Sequence, residues 1–135
     1  MQDCLFCKIV NKEIPSEKIY ETEHIYAFMD INPLADGHCL FIPKKHAKTL
    51  HDTPDTALAD ILIAIKKVVQ VLDIKDYNIL QNNGIIAHQA VFHAHWHLIP
   101  KPNKNEGLSI LWNPRSSDRQ EEIASIIREK LSPTK

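Results

Sequence analysis

Three histidines at every second position are the feature of this sequence with the clearest chemical meaning. His93, His95 and His97 lie in the segment 91–99, which reads VFHAHWHLI. Side chains of a β-strand point alternately to its two faces, so a strand here would place all three imidazoles in a row on one face. The other face would carry apolar residues suited to a core, namely Phe92, Ala94, Trp96 and Leu98.

A row of imidazoles can serve several purposes. Lysine, threonine or glutamate would serve equally well on a solvent-exposed strand face, which argues against a passive role. The spacing leaves metal chelation open, because alternate residues of one strand can hold a metal ion. Nucleophilic or acid–base chemistry is favoured, since imidazole is a good nucleophile and is half neutral near pH 6.5.

A C-x-x-C motif near the start of the chain is a second candidate site. Cys4 and Cys7 have the spacing with which two thiolates hold one metal ion, and a tetrahedral zinc site would need two more ligands. A thioredoxin-like redox pair and two half-buried structural thiols are the alternatives. Cys39 lies in the apolar run 38–42 and is predicted to pack in the core.

Composition restricts the class of protein. The chain has 135 residues and a formal net charge of -1, which fits one domain, residues 1–135, without a basic face for nucleic acid or anionic lipid. No apolar run reaches the roughly 18 residues of a membrane span, and the N-terminus does not resemble a secretory signal. With an odd number of cysteines, 3, a cytoplasmic location is expected and nuclear entry stays open.

Hydrophobic periodicity and the positions of turn residues predict the helices and strands that must position these side chains. A long amphipathic helix is predicted to start after Thr53 as its cap. Its buried stripe is predicted to consist of Leu58, Ile61, Leu62, Ile65, Val68, Val69 and Leu72. Short helices are predicted at both ends, over 5–11 and 117–131, the latter opened by Ser117. Strands are predicted over 18–21, 25–29, 38–43, 77–81 and 91–99. The pattern predicts an α+β fold, with an antiparallel five-stranded sheet packed on helices.

Several motifs of this chain resemble those of the histidine triad (HIT) family. The segment 93–99 matches its H-φ-H-φ-H-φ-φ signature, where φ is apolar. Further landmarks occur in the family's order: 4–9 (CLFCKI), 27–33 (AFMDINP), 37–46 (GHCLFIPKKH) and 82–84 (NNG). The chain is most similar to the Hint-like branch of nucleoside phosphoramidate hydrolases, in a version with a zinc-binding C-x-x-C. The resemblance covers roughly residues 4–101.

The resemblance implies a hydrolase that works through a covalent nucleotidyl-histidine. In that scheme His95 is the nucleophile on the α-phosphate, and His97 with the backbone amides near Ala90 and Val91 steadies the phosphate oxygens. Asp30 would accept hydrogen bonds from the ribose hydroxyls, although an Asp at this place is also a common turn cap. The ligand would be a purine nucleotide or nucleotidyl adduct. Its other implied contacts are Phe28, Ile31, Asn82 and Gln89.

For the metal, the resemblance implies that His46 and His93 complete the site of Cys4 and Cys7. Four protein ligands make a closed shell, so one structural zinc per chain is expected. In zinc-free relatives His46 and His93 instead help to order the catalytic histidine by hydrogen bonds, and the two uses would exclude each other. A homodimer, paired across the long helix and an edge strand, is also implied.

The chain departs from the branch just before the histidine segment. It has His88 and Ala90 where Hint-like members have glycine and serine, so a hydroxyl near the phosphate or the leaving amine is missing. His88 could contact phosphate or point outward. His24, His38 and His51 have no role in the resemblance and are predicted to be surface or turn residues. Dinucleoside polyphosphate hydrolysis, or a largely non-catalytic nucleotide-binding protein organised by zinc, are the alternative functions.

Overall fold

Five antiparallel strands form one sheet in the order β1-β2-β3-β5-β4 in a computed structural model that describes residues 3–133. The strands are β1 (Lys18–Glu21), β2 (Ile25–Met29), β3 (Cys39–Pro43), β4 (Tyr77–Gln81) and β5 (Trp96–Pro100). The helices are α1 (Leu5–Val10), α2 (Asp55–Leu72) and α3 (Gln120–Leu131), with a 3-10 turn at Leu50–Asp52. The predicted α+β class with a five-stranded antiparallel sheet is confirmed, and β1, β2 and β4 have the predicted bounds.

The sheet is covered on both faces, which is why β2 and β3 are apolar at nearly every position. One face packs against α2 through Ile25, Ala27, Cys39, Phe41, Trp96 and Leu98. The other face packs against α1 through Tyr26, Phe28, Leu40 and Ile42. Cys39 is buried in the α2 layer, as predicted, and Trp96 is also in that core.

Helix α2 differs from its prediction at its start and along its buried stripe. Pro54 is the N-cap residue, and the hydroxyl of Thr53 donates to the Thr49 carbonyl instead of capping the helix. Ala57, Ile61, Ala64 and Ile65 form the buried stripe, whereas Leu62 is 58% exposed and Leu72 is 42% exposed. The rest of the predicted stripe is confirmed, because Ile61 and Ile65 are buried and Leu58, Val68 and Val69 pack against the core. Counting only large apolar residues missed the small alanines that let the helix approach the sheet.

Strand β5 is shorter than the predicted strand 91–99, because it begins at Trp96. Its pairing with β3 runs from Leu98 opposite Cys39 to Trp96 opposite Phe41. Two residues beyond Phe41 comes Pro43, which has no backbone N–H, and its carbonyl accepts a hydrogen bond from the His93 ring at 2.8 Å. The ladder therefore cannot extend to His93, and Phe92, predicted to be core, is 43% exposed beside Lys48.

The C-terminal part of the chain lies outside the sheet. Helix α3 begins three residues later than the predicted 117, because the Ser117 hydroxyl accepts from the Arg119 amide before the helix starts. Residues 110–112, Ile-Leu-Trp, are exposed. Among residues 3–133, no helix has both the length and the apolar composition that crossing a bilayer requires.

Candidate active site

A pocket of about 530 Å³ opens on the face of the sheet that α1 covers. Its walls come from α1, from the end of β2 and the loop after it, and from β5 with the segment before it. His95 and His97 both line it, together with Asp30. The α1 residue Phe6 presses its ring edge against His95, with ring centroids 5.1 Å apart. The imidazoles therefore lie in a cavity that is apolar on one side and polar on the other.

His95 is held in one tautomer by the backbone. Its Nδ1 lies 2.8 Å from the carbonyl oxygen of His93, an acceptor that requires the proton to be on Nδ1. The lone pair is therefore on Nε2. Burial lowers the pKa of His95, so the ring is neutral near pH 7. A neutral, oriented imidazole with an available lone pair is suited to nucleophilic attack.

His97 lies beside His95, with ring centroids 5.0 Å apart, but its partner is a side chain. Its Nδ1 is 2.9 Å from Nε2 of His38. Burial, with contributions from His95 and His38, lowers the pKa of His97 to about 4. His38 was predicted to be a surface or turn residue, and that prediction is wrong, because it is 3% exposed.

Asp30 follows β2 directly, and its carboxylate contacts two neighbouring residues. One carboxylate oxygen accepts the Asn32 amide at 2.8 Å, which is the turn-capping role that the sequence left open. The other oxygen lies 3.3 Å from His38 Nε2. A carboxylate has about four acceptor positions, so the side chain, 16% exposed, keeps capacity for a hydroxyl donor in the pocket. We call Asp30, His38, His95 and His97 the pocket cluster.

The structure brings all but one of the other predicted nucleotide contacts to the pocket. Five residues line it: Phe28, Ile31, Asn82, Ala90 and Val91. Gln89 does not line it. Its amide nitrogen donates to the carbonyls of Lys48 and Val91, and its oxygen accepts from the Gly84 amide. Gln89 is 3% exposed and ties the loop before β5 to the body of the protein, and both of its N–H donors are used within the protein.

His88 does reach the wall of the pocket. It has a left-handed backbone, with φ of 73°, a conformation that glycine adopts without strain and other residues rarely adopt. This explains why glycine is usual at the corresponding place in the branch that the chain resembles.

A second cluster lies behind the pocket. Its members are Cys4, Cys7, His46 and His93, whose ligand atoms all lie within 4.8 Å of one another. We call them the metal-ligand cluster. The Sγ atom of Cys4 is 3.3 Å from His93 Nδ1, and that of Cys7 is 3.4 Å from His46 Nδ1. Around a tetrahedral zinc ion, with bonds of about 2.0 to 2.3 Å, neighbouring ligand atoms are about 3.3 to 3.8 Å apart.

The hydrogen bonds of the metal-ligand cluster also leave a lone pair available for a metal ion. His93 donates from Nε2 to the Pro43 carbonyl at 2.8 Å, so its lone pair is on Nδ1, the nitrogen that faces both thiols. In metal sites, a hydrogen bond from the other ring nitrogen fixes the orientation of a metal-binding histidine. Metal binding and the ordering of His95 were expected to exclude each other, but in this structure they use different groups of His93. The His93 ring faces the cysteines, while its backbone carbonyl orders His95.

Two groups of site residues were missed from the sequence. Leu5, Phe6 and Ile9 of α1 line the pocket, although the sequence linked this helix only to the cysteines. His38 is the other. It lies two residues before Leu40, which pairs with His97, so alternation places His38 on the same face as His97. That signal exists only once the β3–β5 pairing is known.

Comparison with known proteins shows what the chain is similar to. The sequence model of the HIT domain family matches residues 11–104. The chain is 48% identical over 132 residues to the adenosine 5'-monophosphoramidase hnt1 of Schizosaccharomyces pombe, covering 98% of both chains. It is 50% identical over 115 residues to the adenosine 5'-monophosphoramidase HNT1 of Saccharomyces cerevisiae, covering 85% of this chain and 73% of that protein.

Solved structures give the same result. The crystal structure of a histidine triad nucleotide-binding protein from Candida albicans superposes with a TM-score of 0.89 at 44% identity, covering 96% of this chain and 97% of that one. A HIT family protein from Bacillus subtilis superposes with a TM-score of 0.88 at 34% identity, covering 98% and 99%.

Proposed function

We propose that this chain, which belongs to the HIT family, is a hydrolase that releases an amine from nucleoside phosphoramidates through a covalent nucleotidyl-histidine. The observation that carries the proposal is the hydrogen bond from His95 Nδ1 to the His93 carbonyl, which leaves the Nε2 lone pair of a pocket residue as a nucleophile. The names of the two yeast relatives support the same substrate class.

The first half of the reaction transfers the nucleotidyl group to the protein. His95 Nε2 attacks the α-phosphorus, and a new P–N bond forms as the P–N bond to the leaving amine breaks. The amine takes up a proton as it departs, and the water that reacts in the second half releases one, so the overall hydrolysis balances. A donor aimed at the phosphate oxygens stabilises the charge that develops there. We assign that role to His97 and to the backbone amides around Ala90 and Val91.

The second half returns the protein to its starting state. Water attacks the same phosphorus, the bond to His95 Nε2 breaks, and a nucleoside monophosphate leaves. Asp30 would hold the ribose hydroxyls, and Phe28 and Ile31 would contact a purine base. The α1 residues Leu5, Phe6 and Ile9 complete the apolar side of the pocket, so we add them to the base-binding wall.

The test measures amine release from adenosine 5'-phosphoramidate and looks for the intermediate. We expect turnover by the wild-type protein and, after rapid acid quenching, a mass increase of one adenylyl group on the peptide that contains His95. A panel that includes diadenosine tetraphosphate compares the two hydrolase hypotheses. Amine release that persists in His95→Ala would contradict the mechanism. Faster cleavage of the polyphosphate would contradict the substrate class. Binding without turnover would favour a non-catalytic protein.

We also propose that the metal-ligand cluster holds one structural zinc ion per chain. Cys4, Cys7, His46 and His93 would bind it, and it would link α1 to the segment before β5. Four protein ligands leave no position for water, so the ion would supply no Lewis-acid chemistry. Support comes from the sulfur–nitrogen distances and from the orientation of the His93 lone pair.

Elemental analysis of the purified protein tests the zinc proposal. We expect about one zinc per chain, lost in Cys4→Ser and retained in Cys39→Ala, a control at a buried cysteine in the α2 layer. A folded protein without metal would contradict the proposal.

A homodimer is proposed from exposed apolar side chains. Edge strand β4 exposes Tyr77 and Ile79, and α2 exposes Leu62 and Ile63. An unpaired strand edge with apolar side chains is suited to pairing with another chain. Sedimentation analysis should give a dimer that Ile79→Lys weakens, and a monomeric wild type would contradict the proposal.

A cytoplasmic location is also proposed, because Cys4, Cys7 and Cys39 are not paired in disulfides and reducing compartments keep cysteines in that state. Localisation of a tagged protein would test it, and a secreted protein would contradict it.

A further inference from the structure

His38 is a buried histidine that the proposed reaction does not use, although it touches two residues that the reaction does use. It lies just before β3 and is 3% exposed. Its Nε2 atom is 2.9 Å from His97 Nδ1 and 3.3 Å from an oxygen of Asp30. Its Nδ1 atom is 3.0 Å from the backbone nitrogen of Leu34.

The contact with Leu34 fixes the tautomer of His38. A backbone amide can only donate, so His38 Nδ1 must be the acceptor and carry no proton. Burial lowers the pKa of His38, which keeps the ring neutral, and a neutral ring then has its single proton on Nε2. The same reasoning disfavours a cation held by Asp30, His38 and His97, because His38 Nε2 has no free lone pair.

The tautomer of His38 in turn determines that of His97. Two N–H groups cannot face each other at 2.9 Å, so His97 Nδ1 must accept the proton of His38 Nε2. The proton of neutral His97 is then on Nε2. The chain of donors runs from the Leu34 amide through His38 to His97, and each link is set by the one before it.

We propose that His38 is a positioning residue that makes His97 present an N–H, and not a lone pair, to the phosphate group of the substrate. This inference rests on the proposed function. It assigns opposite tautomers to neighbouring pocket residues, with a lone pair on Nε2 of His95 and a proton on Nε2 of His97. One ring attacks phosphorus while the other donates to its oxygens or to the departing amine.

Asp30 shows why a positioning residue is needed. One of its oxygens is 3.9 Å from His97 Nδ1, beyond hydrogen-bond distance. If His38 were absent, a small movement would let His97 Nδ1 donate to this carboxylate, and His97 would then turn a lone pair toward the phosphate. His38 prevents this by occupying both the carboxylate oxygen and His97 Nδ1.

The experiment combines two substitutions with a spectroscopic measurement. His38→Leu removes both nitrogens, whereas His38→Gln can place an amide N–H near the position of Nε2. Neither places an acceptor where Nδ1 was, so any effect of losing the Leu34 contact is common to both. His24→Leu, at a partly exposed histidine just before the other end of β2, is the control for losing an imidazole. The tautomer of His97 is measured by nitrogen-15 NMR of histidine-labelled protein.

We expect the wild type to carry the His97 proton on Nε2. In His38→Leu it should shift to Nδ1, and kcat for the phosphoramidate should fall about 100-fold with KM changed less than about threefold, in the range for losing an acid–base group. His38→Gln should keep the wild-type tautomer and lose less than about tenfold in kcat. His24→Leu should match the wild type in both measurements.

Three outcomes would overturn the inference. The first is a wild-type His97 with its proton on Nδ1, a result that needs no variant to fold. The second is an unchanged His97 tautomer in His38→Leu, and the third is equal losses of kcat in His38→Leu and His38→Gln. Because the NMR measurement uses unreacted protein, it still reports on His38 if the wild type hydrolyses no phosphoramidate, so the failure of either proposal can be recognised separately.

Discussion

His93 and His97 lie at the two ends of one five-residue segment, yet they present opposite groups to their surroundings, a lone pair in one case and an N–H in the other. His93 donates from Nε2 to the Pro43 carbonyl, which leaves a lone pair on Nδ1 between the two cysteines. His97 accepts at Nδ1 from His38, which leaves a proton on Nε2 in the pocket cluster. The side chain is the same in both places, and its hydrogen-bond partner decides whether the free ring nitrogen carries a lone pair, which suits a metal ion, or a proton, which suits a phosphate.

His95 lies between them and belongs to both regions. Its ring lines the pocket, but its Nδ1 proton goes to the backbone carbonyl of His93, a member of the metal-ligand cluster. The connection is through the backbone and not through the imidazole of His93. Mutations should therefore separate the two clusters: a substitution in the metal-ligand cluster should remove metal binding, and a substitution in the pocket cluster should remove catalysis.

The largest effect should come from His95→Ala. Removing the nucleophile should lower kcat/KM for the phosphoramidate at least about 10⁴-fold, since no other group can form the covalent intermediate. The zinc content should not change, because the metal ligands stay in place. Steady-state kinetics and elemental analysis of the same sample measure both. Loss of zinc together with activity would show that the two clusters are one unit.

The converse substitution is Cys7→Ser. Zinc-finger peptides gain about 10 to 16 kcal/mol from zinc, but this chain has its own two-layer core, so we expect a loss of about 3 kcal/mol and a melting temperature lower by roughly 10 °C. Activity should fall only about tenfold, because the His93 carbonyl can still order His95. Thermal unfolding and kinetics measure these effects.

Cys39→Ala is the matched control for Cys7→Ser and should keep its zinc. A Cys7→Ser protein that keeps both its metal and its melting temperature would contradict the assignment of the metal-ligand cluster.

The pocket cluster should also be visible in the pH dependence of stability. His97 has a pKa of about 4 in the folded chain, against 6.5 as its ordinary value, because burial disfavours the charged ring. Between those values the unfolded chain binds the proton and the folded chain does not, so stability falls as pH falls from about 6.5 toward about 4. At about 1.4 kcal/mol per pKa unit, the ceiling for this one group is about 3 kcal/mol.

His97→Gln isolates this contribution. Denaturant unfolding at a series of pH values should show a shallower loss of stability in the variant than in the wild type. Metal loss at low pH should affect both proteins alike and cancel in the comparison. Parallel curves would mean that His97 is not held neutral by the fold.

How far the sequence could predict this molecule depends on how local each feature is. The bounds of β1, β2 and β4 follow from short alternating or apolar runs between turn residues, which are local signals, and the structure has them as predicted. The late start of β5, at Trp96, depends on Pro43, a residue about 50 positions before His93 whose carbonyl accepts a hydrogen bond from the His93 ring. No window around His93 contains that information.

The same distinction applies to the site. The resemblance named the four residues of the metal-ligand cluster, and they lie together in the structure. His38 was missed because its role depends on the register in which β3 pairs with β5. Gln89 was placed among the ligand contacts because of its position in the motif, whereas its three hydrogen bonds inside the protein could only be seen in the fold.

The smallest expected effect concerns Ala90, which lines the pocket where relatives of the Hint-like branch have serine. Ala90→Ser adds one hydroxyl donor to the pocket and nothing to the metal-ligand cluster. A neutral hydrogen bond contributes about 1 kcal/mol, so kcat/KM should rise about fivefold while the zinc content stays the same.

Ala87→Ser makes the same chemical change in the same loop at a position that does not line the pocket, and it should have no effect on kcat/KM. A rise of kcat/KM in both variants would mean that the gain comes from a change in the loop and not from a contact with the phosphate. An unchanged kcat/KM in Ala90→Ser would mean that the donors already present satisfy the phosphate oxygens. The proposed donors, His97 and the backbone amides around Ala90 and Val91, would then be sufficient for the charge on the phosphate oxygens.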